Sequence, residues 1–257
     1  MKDLRIVIPA YNEEESIAEV ISRVRKACPE AEVVVVNDGS KDCTAEIVRN
    51  CGVKVISNHT NLGKGGATKV GFVHNLNNGI NYLAFIDADG TYPPERIPEL
   101  YDLCKQKGYD IAVGSRLLRK NNGMPRIRRL GNKIFAGLLT FYSGRRTTDT
   151  STGLRVFNVR LLPVIETLPN GLDFDTSMTT RALFGGLAYV EVPIEYNRRA
   201  GKSKLSSFKD GYRFLKVIMS AARQHRPMLF YCTLGIPFSL TESLIRVVSA
   251  ARARDGD

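Results

Sequence analysis

Short β-branched runs recur through the first half of the chain. Each is closed by a polar loop and followed by a stretch of helical period, and no other feature restricts the fold as much. Leu4 to Pro9, Val33 to Val36, Val53 to Ser57, the run from Leu83 to Ile86, and Asp110 to Gly114 read as buried strands. Between them lie a helix with Ile17, Val20, Ile21 and Val24 on one face, a helix from about Thr44, one from the turn at Asn61 toward Asn75, and one from Pro93-Pro94. Ser16 and Glu19 have the spacing of a capping box at the first of these helices. Strands alternating with helices of this length imply an α/β fold with a mostly parallel, doubly wound sheet. In such a sheet the loops after the strands open on one edge, where ligands bind.

The fourth of these loops carries Asp87-Ala88-Asp89-Gly90. Two carboxylates one residue apart raise each other's pKa unless a cation relieves them. Hard Mg²⁺ or Mn²⁺ suits such oxygen ligands, with substrate phosphates completing the shell. A plain surface turn is the other reading of the same four residues.

The formal net charge of +11 is unevenly placed. Ile111 to Thr148 holds no Asp or Glu but many Arg and Lys, and Asn197 to Pro227 is basic apart from Asp210. Such asymmetry implies phosphates or an anionic surface near the C-terminal half. Cys28, Cys43, Cys51, Cys104 and Cys232 show no metal-ligand spacing and imply reduced thiols. The apolar tract from Pro227 to Leu240 is short and interrupted by Pro237, so no membrane span is expected, and no leader is expected because Met1-Lys2-Asp3 leads straight into a strand pattern.

Beyond Arg116 the alternation breaks. Helices are expected over Leu130 to Tyr142, Val159 to Glu166 and Phe174 to Phe184, with strands over Thr152 to Phe157 and Leu187 to Tyr196. From Ser206 a basic amphipathic helix should place Phe208, Tyr212, Leu215 and Met219 on one face. It would either lie on an anionic membrane or pack its apolar stripe on the core.

Four loops should share the ligand edge: Pro9 to Glu13, Asn37 to Ser40, Asn61 to Gly66 and Asp87 to Gly90. They offer an aromatic face, carboxylates, a lysine with backbone amides, and an acid pair, which is equipment for a nucleoside diphosphate and its cation. The glycine-rich turn is neither the phosphate-loop pattern nor the dinucleotide fingerprint, and a helix start needing close backbone approach explains it equally well.

Taken in order, Ile6-Val7-Ile8-Pro9-Ala10-Tyr11-Asn12-Glu13, Val36-Asn37-Asp38-Gly39-Ser40, Asn61-Leu62-Gly63-Lys64-Gly65-Gly66 and Asp87-Ala88-Asp89-Gly90 resemble the inverting family-two glycosyltransferases of the GT-A fold. Gly114-Ser115-Arg116, Asp149 to Arg155, Glu191-Val192-Pro193-Ile194 and Arg199 to Lys204 narrow the resemblance to the dolichyl- or polyprenyl-phosphate mannosyl- and glucosyltransferases. It covers about Leu4 to Arg226.

The resemblance implies a GDP- or UDP-hexose donor such as GDP-mannose, a polyprenyl or dolichyl phosphate acceptor, and Mg²⁺ or Mn²⁺. It implies that Pro9, Tyr11, Glu13 and Asp38 hold the nucleoside, that Lys64 lies near the diphosphate, and that Asp87 and Asp89 bind the metal. Arg116, Arg129 and Arg199 would position the acceptor phosphate, and Asp149 would stand beside it as an orienting acid or pair structurally with Arg155. Asn37 replaces the family's usual first acid, Thr91 stands where many relatives have a metal-binding Gln, and Gly131-Asn132 where they often have a Ser.

The expected organisation is a catalytic domain over residues 1–205 and an amphipathic, membrane-surface segment over 206–257. The protein would be cytoplasmic and peripheral on the membrane, with Leu130 to Tyr142 and the Ser206 helix as contacts. The alternatives are transfer to a glycan or small-molecule hydroxyl, and a non-catalytic nucleotide-binding protein. Nucleic acid is not an expected partner, because aromatic residues are not interleaved with the basic ones.

Overall fold

The β-branched runs pair side by side in a computed structural model that describes residues 1–76, 78–119, 123–197, 199 and 207–233, with backbone alone at 207 and 208. The strands are β1 (Leu4–Ala10), β2 (Glu32–Asn37), β3 (Lys54–Ser57), β4 (Tyr82–Ile86), β5 (Ile111–Ser115), β6 (Leu154–Asn158) and β7 (Tyr189–Pro193). They form one sheet in the order β3-β2-β1-β4-β6-β5-β7. β6 runs antiparallel to both its neighbours, while the other pairs are parallel. The mostly parallel, helix-flanked sheet is therefore as expected. The antiparallel β6 was not foreseen, because strand direction depends on pairing and not on local pattern.

Helices cover both faces. On one face α1 (Ile17–Ala27) and α4 (Ile97–Lys107) bury Ile17, Val20, Ile21, Val24 and Leu100 with Ile6 and Ile8 of β1. On the other, α3 (Lys64–Val73) and α7 (Phe174–Phe184) bury Phe72, Phe174 and Met178 against Val7, Phe85 and Phe157. α3 lies so close to the sheet that a Cβ at Gly71 would meet Val7 Cγ1 at 2.4 Å. The remaining helices are α2 (Thr44–Asn50), α5 (Arg126–Ser143), α6 (Leu162–Glu166) and α8 (Ser207–His225). The sheet reverses direction of winding at β1 and β4, so the crevice between their C-terminal ends is the natural ligand site.

Two local expectations change. Ser16 does start α1, but its hydroxyl makes no helix cap and donates instead to the Ala88 carbonyl at 2.8 Å. A buried carbonyl in the turn between two acids has greater need of a donor than a helix end near solvent. On α8 the core face is Asp210, Phe214, Ile218 and Ala222, whereas Tyr212 is 69% exposed and Leu215 and Met219 are half-buried. The side chain of Phe208 lies outside the described residues. Tertiary packing set this face. Ile218 joins Leu139 of α5 and Leu183 of α7, and the Phe214 ring meets Phe135 edge-on at 6.0 Å.

α5 presents the opposite situation. Ala136 and Leu139 face inward, while Ile127, Leu130, Ile134 and Phe141, spaced at helical period, are all more than half exposed. Arg126 and Lys133 flank that stripe and are exposed as well. Among the described residues no helix is long and apolar enough to cross a membrane. Residues 234–257 of the expected membrane-surface segment and the motif residues from Ala200 to Lys204 lie outside the described residues.

Candidate active site

The four loops at the C-terminal edge are stitched into one surface by side chain to backbone hydrogen bonds. Ser40 Oγ accepts from Asn12 N at 2.9 Å, Thr44 Oγ1 accepts from Glu13 N at 2.9 Å, and Asn12 Oδ1 accepts from Lys41 N at 2.8 Å. Asn12 takes a φ of 50°, a left-handed conformation that Asn tolerates better than most residues. Asp38 binds the third loop to the second, accepting from Leu62 N, Gly63 N and Asn58 Nδ2 at 2.8–2.9 Å. Asp38 thus has a scaffolding duty besides lining the cavity.

The cavity has a volume of about 570 Å³, within the usual range for small-molecule sites. Pro9, Tyr11, Glu13, Asp38 and Lys64 line one part of it, and Asp87 and Asp89 lie with them. Arg116, Arg128, Asn132, Phe135 and Phe214 line the part toward α5 and α8. Of the expected site residues, only Asp149 and Arg129 are not on its wall. Asp149 is fully buried behind Arg116. Arg129 turns outward and donates to the Arg119 carbonyl at 2.9 Å, so the α5 arginine at the cavity is its neighbour, Arg128. One residue along a helix rotates a side chain by about a quarter turn, which spacing alone did not resolve.

The acid pair is held between internal cations. Lys64 Nζ lies 2.6 Å from Asp87 Oδ1 and 2.6 Å from Asp175 Oδ2. Arg199 reaches Asp89 Oδ2 at 2.9 Å and Glu13 Oε1 at 2.5 Å. Its segment is anchored by Asn197 N donating to the Thr91 carbonyl. Asp89 Oδ1 also accepts from Thr91 N and Oγ1. Burial pushes the Asp87 carboxyl up to about 6, opposed by Lys64 and assisted by the neighbouring charges of Asp89 and Asp175. Burial would depress Lys64, but Asp175 and Asp87 more than offset it and hold its pKa above the ordinary lysine value.

β6 gives this pair its backing. Because Ile86 pairs with Leu154, the next residues, Asp87 and Gly153, also oppose each other, and Asp87 N donates to the Gly153 carbonyl at 3.2 Å. A Cβ at Gly153 would fall 2.3–2.6 Å from the Asp87 carboxylate. Only glycine leaves room for the acid there.

The glycine-rich turn has a different job from the phosphate cradle considered for it. Gly66 N donates to the Asn170 carbonyl at 3.0 Å and Gly65 N to that of Gly171 at 3.4 Å, so these amides are already committed. A Cβ at Gly65 would meet the Pro169 carbonyl at 2.4 Å. The glycines admit the loop ahead of α7 and thereby bring in Asp175. Sequence reasoning missed Asp175, although its helix carries a polar run, Asp175-Thr176-Ser177, in a segment that is wholly buried.

Asp149 pairs with Arg116 and not with Arg155. Its Oδ2 accepts from Arg116 Nε at 2.7 Å and from the Arg116 backbone N at 3.1 Å, and its Oδ1 accepts from Nη2 at 2.7 Å. The Arg116 guanidinium lies near the rings of Tyr92 and Tyr196, at 5.8 and 5.4 Å from their centroids. Arg155 donates instead to the carbonyls of Thr152 and Thr150 and to Thr179 Oγ1. Burial raises the Asp149 carboxyl, yet Arg116 and the hydrogen bonds outweigh it and hold the group below the ordinary aspartate range.

Asp87 and Asp89 are hard oxygen donors with unfavourable mutual charge, which fits a divalent cation. Among the described residues no group of three or more His, Cys, Asp or Glu is arranged to hold a metal. A cation here would draw its other ligands from a bound diphosphate.

A model of the family described as Glycosyl transferase family 2 matches residues 5–165. The chain is 35% identical over 224 residues to a dolichyl-phosphate hexose transferase of Haloferax volcanii, covering 87% of this chain and 96% of that one. It is 32% identical to a polyprenol monophosphomannose synthase of Mycolicibacterium smegmatis, covering 78% and 80% of the two chains. A solved glucosyl-3-phosphoglycerate synthase of Mycobacterium tuberculosis, in complex with Mn²⁺, UDP-glucose and phosphoglyceric acid, superposes with a TM-score of 0.66 at 19% identity, over 85% of this chain and 79% of that one.

Two outcomes follow from the geometry. Gly153→Ala should displace the Asp87 carboxylate and lower turnover on the order of 10²-fold, with the far-ultraviolet circular dichroism unchanged. Asp149→Asn should cost about 3–5 kcal/mol in urea unfolding, because it strands the buried Arg116 charge. With its folded pKa depressed, Asp149 contributes stability above the ordinary value of 3.8 that is lost as pH falls toward the folded value. The gap between wild type and variant should therefore close on acidification.

Proposed function

The chain belongs to glycosyl transferase family 2, and on that premise we propose that it transfers a hexose, mannose or glucose, from a GDP- or UDP-sugar to a polyprenyl or dolichyl phosphate with inversion. The observation that carries the reading is a single cavity with the acid pair and nucleoside loops at one part and Arg116 and Arg128 at the other. Pro9, Tyr11, Glu13 and Asp38 would hold the nucleoside. Lys64 would serve the diphosphate, and Asp87 and Asp89 would hold Mg²⁺ or Mn²⁺. When bound, the cation supplies neutralising charge to the departing diphosphate.

The acceptor phosphate oxygen attacks the anomeric carbon from the face opposite the diphosphate. The bond from that carbon to the β-phosphate oxygen breaks, and the nucleoside diphosphate leaves with the electron pair. A phosphate monoester has a second pKa of about 6 and is largely ionised at neutral pH, so it needs positioning and little deprotonation. The cavity suits that need. Among its described lining residues there is no histidine, and the carboxylates of Glu13, Asp38, Asp87, Asp89 and Asp175 are all engaged by Arg199, Lys64 or loop amides. Arg116 and Arg128 would bring guanidinium charge to the phosphate, with Arg199, which Asp89 and Glu13 engage, as a further cation on the cavity wall; Arg129, turned outward, is not among them.

The exposed α5 stripe would bring the protein to the lipid. Ile127, Leu130, Ile134 and Phe141 would enter the interface, while Arg126 and Lys133 attract anionic headgroups. The protein would then lie on the cytoplasmic face of a membrane, with residues 1–205 as the catalytic unit and the segment from 206 as part of the membrane-facing side. The M. tuberculosis synthase's Mn²⁺ and UDP-glucose, and the lipid-phosphate names of the relatives, support the same reading.

Incubation with polyprenyl phosphate and a panel of labelled nucleotide sugars should give a lipid-linked product from one donor, lost on chelation of divalent metal. No such product from any donor would sink the proposal. Transfer to a soluble hydroxyl would favour the glycan alternative, and donor binding without transfer the non-catalytic one.

For the membrane contact, Leu130→Glu with Ile134→Glu removes about 1.5–3 kcal/mol of burial per side chain. Sedimentation with anionic vesicles should then fall by at least about tenfold. Unchanged sedimentation would exclude this face.

A further inference from the structure

We propose that Glu191 is a positioning residue for the acceptor phosphate, acting through Thr148 and Asp149 on Arg116. The inference rests on the reading above, in which Arg116 binds that phosphate. Glu191 stands in the middle of β7, opposite Val113 of β5 in parallel register. Two residues on, Ser115 closes β5 and hands the chain to Arg116. Side chains alternate along a strand, so Glu191 shares its face with Tyr189, whose hydroxyl donates to Glu191 Oε1 at 3.0 Å. Burial holds the Tyr189 phenol well above its ordinary pKa, so it remains a donor.

The Glu191 carboxylate gathers a segment that has no helix or strand of its own. Oε1 accepts from Thr147 Oγ1 at 2.6 Å, Thr148 N at 3.0 Å and Asp149 N at 3.3 Å. Oε2 accepts from Thr148 N at 2.9 Å and Thr148 Oγ1 at 2.5 Å. Since the single Thr148 hydroxyl proton goes to Glu191, that oxygen accepts from Ser115 Oγ at 2.7 Å. The backbone just before Asp149 is thus fixed by one carboxylate, and it is tied at the same point to the residue preceding Arg116.

From there the geometry is transmitted without slack. Asp149 is fully buried, holds the Arg116 guanidinium and backbone N, and leaves the side chain one orientation against Tyr92 and Tyr196. Arg116 Nη2 also donates to Ser151 Oγ at 3.1 Å, which in turn donates to Asn132 Oδ1 of α5 at 3.1 Å. An apolar residue at 191 could fill the space. It could not accept the Thr148 and Asp149 amides, and the segment that orients Arg116 would relax.

Glu191→Gln keeps the shape but replaces one acceptor oxygen by an N–H donor, which faces donors already present. The KM for polyprenyl phosphate should rise on the order of 10- to 100-fold, as for a misplaced binding group. The affinity for the nucleotide sugar, read by displacement of labelled donor, should stay at the wild-type value. Glu191→Asp, which restores two acceptor oxygens, should recover part of the acceptor KM. Thr148→Val removes the hydroxyl's bonds to Glu191 and Ser115 but leaves the backbone amides on the carboxylate, so it should shift the KM less, in the same direction, and it carries the test if Glu191→Gln does not fold. An unchanged acceptor KM in these variants beside an active wild type, or an equal loss of donor affinity, overturns the role of Glu191 alone. A wild type that makes no lipid-linked product overturns the functional reading and this inference with it.

Discussion

Mutual compensation of buried charge is the constraint on which the site depends. Asp87, Asp89, Asp175 and Glu13 converge at one sheet edge, where burial and the charges of Asp89 and Asp175 penalise the ionised Asp87 carboxylate. Lys64, shared between Asp87 and Asp175, and Arg199, shared between Asp89 and Glu13, make the cluster tolerable. Removing one partner of such a set costs far more than the set contributes. The fold therefore has to deliver both cations accurately. The helix start at Gly63 to Gly66 delivers Lys64, and the segment after β7, hung on Thr91, delivers Arg199. On the proposed reading a divalent cation competes with these internal charges, which ties its binding to arrival of the diphosphate.

The second half of the site follows the same rule with one pair instead of a cluster. Arg116 can be buried because Asp149 neutralises it through both oxygens. Asp149 can be fully buried because the arginine and two backbone amides satisfy it. This accounts for the long acid-free tract around Arg116 seen in the sequence. The counter-charge of Arg116 comes from just beyond that tract, whereas Arg119 pairs with Glu195 and Arg145 donates to the carbonyls of Ala182, Leu183 and Leu187.

Much of the cavity around the acid pair was legible in the residues. β1 to β5 are visible as β-branched runs, and the rule that loops after parallel strands share an edge brings Tyr11, Asp38, Lys64 and Asp87 together from the sequence alone. The remainder was not legible, for definite reasons. Gly153 looks like any glycine until antiparallel pairing sets it against Asp87. Asp175 lies far along the chain from Lys64, and no local spacing links them. Arg128 and Arg129 are adjacent, and only the packing of α5 decides which one turns inward. The face of α8 followed Phe135, Leu139 and Leu183 rather than its own apolar pattern.

The sequence by itself determined the strand and helix alternation, the polar loops that terminate the strands, and the separation of acidic and basic halves, because these depend on local side-chain chemistry and period. Only the tertiary structure decided which cation meets which carboxylate, that β6 enters antiparallel to back Asp87, and that Glu191 reaches Thr148 and Asp149. Those pairings join residues distant along the chain, and their energies exist only once the sheet has brought the groups within hydrogen-bonding distance in a place partly shielded from water.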